Sequence, residues 1–392
     1  MVNKLENRIS VADGLRGFAI IAIALLHSIN HFNLIIYPVT SNAFLQTTDL
    51  LIKSVLTAIL SGKIYGLFAL LFGFTFYLQL SNQEKRGNDF KYRFIWRMLV
   101  LFAIGVFNSA FFSGEILMIY SIIGLILVPL RHQSNRSLLF IIIIFILQPI
   151  LLAKIAYIIV EPGYTQNYER YVPNELFNQL ASNSFFEMVA TNLTIGKHLY
   201  FISLISSGER IFQTAALFVA GLLIGRQKRF ESSSDNVCFW KNTFIIFLII
   251  FAATNIIEMA MNATIEAGSI RNMVDNILRS WSDFSIILMI TALFYKIYST
   301  HWKTKLQGLE ILGKMSLTNY LLQSILGSFL FYGYGLSLSR YCGITISFFV
   351  GIAMLVLQYF FSTWWLKHHE KGPLEELWHN LTWIQIKRTS PT

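Results

Sequence analysis

Apolar runs long enough to cross a bilayer recur along the whole chain, at roughly 17–37, 62–80, 95–112, 115–130, 138–160, 210–226, 242–262, 277–297, 316–335 and 343–366. A helix rises ~1.5 Å per residue and the hydrocarbon core of a bilayer is ~30 Å thick, so ~20 apolar residues span it. So many runs exceed what one soluble core can bury. They predict an all-α, polytopic transmembrane bundle of about ten helices, with 1–392 as a single integral membrane domain. The chain is 55% hydrophobic and 13% charged, and that charged share is about half of what a soluble domain carries.

The net charge of +10 is spread over alternate connections instead of forming one arm or helix face, which argues against nucleic acid. The connections alternate in basic content. One set, which includes both termini, holds 22 Lys and Arg, and the opposite set holds 6. By the positive-inside rule both termini are cytoplasmic. Lys4 and Arg8 precede the first run, but that run continues to about Tyr37 with no small-residue cleavage site, so it reads as a retained helix. Cys238 and Cys342 fall in connections on opposite sides and imply neither a disulfide nor a metal site.

Two connections exceed simple turns. Residues 38–61 include the amphipathic stretch Leu50 to Leu56, suited to the outer interface. A long extracytoplasmic loop at about 160–210 carries Glu161, Glu169, Glu175, Glu187 and Glu209. It reads either as a lid over an outward-facing site or as a flexible acidic loop with an interfacial helix. Gly62, Gly66 and Gly73 read as close helix packing.

The residues able to carry chemistry begin with Arg16 and His27, eleven positions apart on the first run and therefore ~16 Å apart along a helix. Arg16 falls where headgroups begin and His27 near mid-membrane, where an ionisable group is by default a functional candidate. His31 follows one turn later on the same face. Neutral imidazoles there suit a general base, and equally a hydrogen-bonded interhelical role. No third ligand accompanies them, so no metal is expected. Arg93 and Arg97, four apart, join Arg16, Lys85, Arg86 and Lys91 as a basic mouth for phosphates or as topogenic charge. Glu115 follows a very short outer turn, while Asn319 and Gln323 are polar at membrane depth and suit a tunnel lining. Asn108, Glu258 and Gln358 share that depth, and Arg279 with Asp283 reads as a self-neutralising pair. No P-loop or dinucleotide glycine pattern is present.

Asp13-Gly-Leu-Arg-Gly-Phe-Ala, Ser61-Gly-Lys-Ile-Tyr-Gly-Leu-Phe, Arg93-Phe-Ile-Trp-Arg, Gly114-Glu-Ile-Leu-Met-Ile-Tyr120, Gly313-Lys-Met-Ser-Leu-Thr-Asn-Tyr320 and Gly372-Pro-Leu-Glu375 with Trp378 resemble, in order, the YeiB-like family of bacterial inner-membrane proteins. More distantly the chain resembles transmembrane acyltransferases that include heparan glucosaminide acetyltransferase and the polysaccharide O-acyltransferases. That resemblance implies cytoplasmic entry of acyl-CoA, with acetyl-CoA as one form, and transfer to an acceptor on the far side. The Arg-x10-His pattern of the polysaccharide enzymes maps onto Arg16 and His27. The lysosomal enzyme has Asn at the position of His27, which leaves the base open among His27, His31 and neither.

The expectation is therefore a multi-pass inner-membrane acyltransferase with catalytic His27 and His31. Arg16, Arg93 and Arg97 bind the donor, Glu115, Asn319 and Gln323 line the acceptor side or tunnel, and no cofactor is tightly bound. Its partners are membrane lipids, acyl-CoA and an extracytoplasmic glycan or lipid, with a homodimer left open. This reading requires a cavity that joins the level of Arg16 to His27. The alternative is a transporter or exporter without covalent chemistry, and a third reading is a scaffold for another enzyme.

Overall fold

The structure is a computed structural model that describes residues 9–34, 41–161, 174–182, 184–264, 268–299 and 304–384. Glu169, the N-terminal charges Lys4 and Arg8, and the tail from 385 lie outside these residues. The described residues are helical without strands. The helices are α1 (Ser10–Asn30), α2 (Ala43–Leu60), α3 (Ile64–Glu84), α4 (Lys91–Ser109), α5 (Leu117–Gly124), α6 (Leu127–Leu130), α7 (Asn135–Ile146), α8 (Pro149–Val160) and α9 (Asn174–Ser182). They continue with α10 (Phe185–Thr191), α11 (Lys197–Ser207), α12 (Glu209–Arg226), α13 (Ser234–Thr264), α14 (Ser269–Tyr298), α15 (Gln307–Lys314), α16 (Ser316–Phe331), α17 (Ile344–Leu366) and α18 (Pro373–Thr382).

Among the described residues, five stretches are long and apolar enough to span a membrane: α1, α2 with α3, α13, α14 and α17. Two bent pairs raise this to seven, α7 with α8 (45°) and residues 185–205 with α12 (76°). Among the described residues, five to seven spans, not ten, thus meet both criteria, and the shortfall has local causes. The 19 residues of α4 begin with Lys91, Arg93 and Arg97, α5 and α6 are a broken pair of 8 and 4 residues, and α16 has only 16. The apolar run at 138–160 breaks at Gln148, whose φ of 56° is left-handed and which precedes Pro149 at the first turn of α8. Proline disfavours a helical residue before it, so the run becomes two helices.

Glycine lets two helix pairs approach backbone to backbone. A Cβ on Gly73 of α3 would strike the carbonyl oxygen of Phe218 of α12, and one on Gly221 would strike that of Leu70. Likewise a Cβ on Gly17 of α1 would meet the carbonyl of Leu309 of α15, and one on Gly313 that of Asp13. The packing reading of the α3 glycines therefore has a partner, α12, and the Asp13-to-Ala19 and Gly313-to-Tyr320 motifs face each other.

The bundle has two ends, a near end where α1 starts and a far end where it stops. At the far end α2 docks on the start of α17: Asp49 accepts from the Thr345 backbone NH (2.7 Å) and hydroxyl (2.5 Å). The connection at 160–210 contains α9, α10, a π-helical turn over Asn192–Gly196 and α11. Its Glu187 closes a capping box with Ser184, whose backbone NH and hydroxyl both donate to the carboxylate.

Candidate functional site

The site is built first from the near-end charges. Arg93, Trp96 and Arg97 lie on one face of the first two turns of α4, and the short amphipathic helix α18 is laid across them. The Arg97 guanidinium stacks 3.5 Å over the Trp378 ring, whose indole NH donates to the Arg97 carbonyl (3.1 Å). Arg93 donates to the carbonyls of Thr382 (2.9 Å) and Ile384 (3.2 Å), and Trp96 to that of Leu381 (2.9 Å). Glu375 fixes the other end of α18. Its carboxylate accepts from the backbone NH groups of Leu317 (2.7 Å) and Thr318 (3.2 Å) and from the Thr318 hydroxyl (2.6 Å). It thus satisfies donors that the start of α16 leaves open. Burial pushes the Glu375 carboxyl up, whereas burial, with Lys371 and Arg97 nearby, pushes His379 down.

Behind α18 opens a cavity of about 610 Å³, a volume suited to a medium-sized organic ligand. Arg16, Arg86, Arg97, Lys314 and Lys371 contribute to its lining near the mouth. Phe68, Phe72, Phe76, Phe94 and Leu101 give it an apolar barrel, and it ends at Ile116, Tyr120 and Tyr320. Arg16 is held on its wall by Asp13 (2.6 Å) and by the Thr75 hydroxyl (2.5 Å). The floor is thin. Tyr120 donates its hydroxyl to the Tyr65 carbonyl, and the Tyr65 hydroxyl donates to Gln213 on the opposite side.

Beyond that floor lies a second polar assembly, made by the end of α1 and the starts of α3, α11 and α12 together with α14. Lys63 pairs with Asp283 at 3.1 Å. Arg210 stands 5.9 Å from the Tyr65 ring, and its charge acts on His31, Tyr200, Glu209 and Asp283. Lys197 is 8% exposed, 5.2 Å from the Tyr200 ring and within electrostatic reach of Glu115. Its ammonium has no hydrogen-bond partner among the described residues. Gln148, at the break between α7 and α8, donates to the Glu209 carbonyl (3.1 Å) and the Ser280 hydroxyl (2.8 Å). His27 and His31 meet edge to face, 5.1 Å between ring centroids, and both touch Phe112.

The sequence candidates divide between these two assemblies. Arg16 and Arg97 line the near-end cavity, as does Arg86. Arg93 is absent from its lining, because its guanidinium is taken up by the α18 carbonyls. His27 and His31 sit beyond the floor, so the cavity that starts at Arg16 does not run on to His27. Glu115 is fully buried at the floor, accepting from the NH groups of Leu117 (2.5 Å) and Met118 (3.1 Å) at the start of α5. Asn319 and Gln323 do not line the cavity. Asn319 donates to Ser362 (3.1 Å), and Gln323 donates to the Ile20 carbonyl (3.1 Å) and to Gln358 (3.2 Å), so they join α16 to α1 and α17. Asp283 pairs with Lys63, where Arg279 was the expected partner. Asn108 is buried with both amide atoms unpartnered among the described residues. Among the described residues no three His, Cys, Asp or Glu side chains gather as a metal site.

Sequence reasoning missed Tyr65, Tyr120, Lys197 and Arg210. Lys197 and Arg210 carried a usable signal, since each is a cation set within otherwise apolar helical sequence, where charge is costly and functional by default. The two tyrosines carried none, because nothing in their neighbourhood separates them from ordinary aromatic core.

Residues 224–385 match the family described as Protein of unknown function (DUF418). The chain is similar over 97% of its length to the uncharacterized protein YxaH of Bacillus subtilis (strain 168), at 23% identity and 95% of that protein's length. It is similar to an uncharacterized 39.9 kDa protein from the amylase 3' region of Bacillus acidopullulyticus at 26% identity, again over 97% and 95% of the two chains. A stretch of 92 residues is 36% identical to the uncharacterized protein YeiB of Escherichia coli (strain K12), 23% of each chain. These matches support a YeiB-like family. No solved structure matches the chain.

Proposed function

We propose that this protein is a multi-pass inner-membrane acyltransferase that takes an acyl group from cytoplasmic acyl-CoA and passes it to a hydroxyl or amine of an extracytoplasmic glycan or lipid. The uneven split of Lys and Arg between alternate connections supports a cytoplasmic near end. The observation that carries the reading is the polarity gradient of the near-end cavity, basic at Arg16, Arg86 and Arg97 and apolar down to Tyr120 and Tyr320. An anionic, phosphate-bearing head with an apolar arm matches that gradient, since guanidinium groups bind phosphate bidentately.

In the reaction, an imidazole of His31 or His27 accepts the acceptor's proton. The freed oxygen or nitrogen attacks the thioester carbonyl, the C–S bond breaks, and coenzyme A leaves as the thiol after taking up that proton. The acyl carbon has to pass the Tyr65–Tyr120 floor, so transfer requires the floor to part.

The test is binding and turnover of acetyl-CoA and longer acyl-CoA by purified protein in nanodiscs. Arg97→Ala and Arg16→Ala should each weaken binding about tenfold or more, as expected for a lost charge-assisted bond. His31→Ala with His27→Ala should abolish release of the thiol while leaving binding intact. Folded protein that binds no acyl-CoA of any chain length refutes the proposal. The closed floor between Arg16 and His27 favours a second reading, an exporter of an anionic amphiphile without covalent chemistry. That reading is supported if acyl-CoA or an anionic lipid binds and no thiol is released.

A further inference from the structure

The far-end assembly holds more cation than its own carboxylates neutralise. Lys63 is paired with Asp283, and Glu115 spends both oxygens on the start of α5. Glu209 faces both Arg210 and Arg279, and one of its oxygens is buried without a hydrogen-bond partner. Among the described residues, four cations (Lys63, Lys197, Arg210 and Arg279) therefore face three carboxylates (Glu115, Glu209 and Asp283). The excess is concentrated where hydrogen-bond donors are also unused. The Lys197 ammonium is more than nine-tenths buried and unpartnered among the described residues, and burying such a group without a partner costs several kcal/mol. Arg210 is exposed, and the Tyr65 and Tyr200 rings and His31 lie within reach of its charge. A guanidinium, an ammonium and an imidazole together offer more donors than the two oxygens of a carboxylate can use, and they match the three free oxygens of a phosphate.

We infer that the far-end assembly binds a phosphate group, held by Arg210 and Lys197, with His31 beside it. Where the acyltransfer reading holds, on which only this extension rests, the acceptor is a phosphate-bearing molecule, and His31, exposed and within reach of the Arg210 charge, is the imidazole that meets it. The phosphate belongs either to a lipid headgroup or to a soluble sugar phosphate. Both supply the same oxyanion chemistry.

The experiment is calorimetric binding to the full-length protein in an uncharged detergent, with dihexanoyl phosphatidic acid, glucose 1-phosphate and, as neutral control, glucose. The expected result is saturable binding of at least one phosphate probe and none of glucose, weakened tenfold or more in Arg210→Ala and largely kept in Arg210→Lys. Saturating coenzyme A should leave the probe in place. Stronger binding of phosphatidic acid assigns the site to a lipid, and stronger binding of glucose 1-phosphate assigns it to a soluble acceptor. If Arg210→Ala does not fold, Lys197→Gln and Arg210→Gln replace it with the same expectation. Absence of phosphate binding by folded wild type, wild-type binding in every variant, or displacement of the probe by coenzyme A overturns the inference. Acyl-CoA turnover, measured separately, can fail while phosphate binding stands, or stand while phosphate binding fails, so the two proposals fall independently.

Discussion

Arg97 shows why a basic residue at a helix start need not be topogenic charge alone. Its guanidinium is sandwiched at 3.5 Å against Trp378 and also faces the cavity, so both its planarity and its charge are in use. Arg97→Lys should therefore behave as a loss, with acyl-CoA binding reduced about tenfold in a titration, where a purely electrostatic role predicts near-wild-type affinity. His379 gives a pH dependence to the same region. Its pKa is lowered in the folded protein by burial and by Lys371 and Arg97. A depressed folded value means that its contribution to stability is complete above the ordinary imidazole pKa of about 6.5 and is lost as pH falls through the lowered value. Hydrogen exchange of α18 should accordingly speed up on acidification below that range, and His379→Gln should flatten the effect. An α18 whose exchange in His379→Gln follows the wild-type profile would show that this group is not responsible. At this scale charge in apolar sequence singled out Arg16 and Arg97, which line the near-end cavity, and also His27 and His31, which sit beyond its floor. The sequence was misleading for Asn319 and Gln323, since an amide at membrane depth looks the same whether it lines a tunnel or bonds a neighbouring helix.

Two close helix crossings set the positions of both assemblies. The contact of α3 with α12 at Gly73 and Gly221 aligns Tyr65 with Gln213 and Arg210. The contact of α1 with α15 at Gly17 and Gly313 sets Arg16 beside the start of α16. Gly221→Leu should force the α3–α12 pair apart, and overpacking of this kind typically costs about 1–3 kcal/mol. A clear drop in thermal stability in detergent is expected, with weakened phosphate-probe binding in whatever fraction remains folded. Unchanged melting would mean that the pair is not as close as described. The helix starts and stops were less legible than the crossings. The run at 138–160 looked continuous, and only the combination of left-handed Gln148 and Pro149 divides it. The stretch at 38–61 reads as carrying an interfacial segment, and its described part forms α2, which with α3 makes a 42-residue stretch apolar enough to span but interrupted at Gly62, whose φ of 78° is left-handed.

Taken as a whole, the molecule sets the near-end cavity and the far-end polar assembly back to back, with Tyr65 contributing its backbone to the floor of one and its side chain to the other. Hydropathy reveals that such a chain belongs in a membrane. It does not show which polar residues converge, because they come from helices far apart in sequence. The measurement that tests the account most directly is the location of a bound, non-hydrolysable thioether analogue of acetyl-CoA in a cryo-electron microscopy map of the protein in nanodiscs. The account predicts the phosphates among Arg16, Arg86 and Arg97 beneath α18, and the acyl end against Tyr120 and Tyr320. Density for the analogue on the His27 side of the floor, or an empty near-end cavity at saturating analogue, would contradict it.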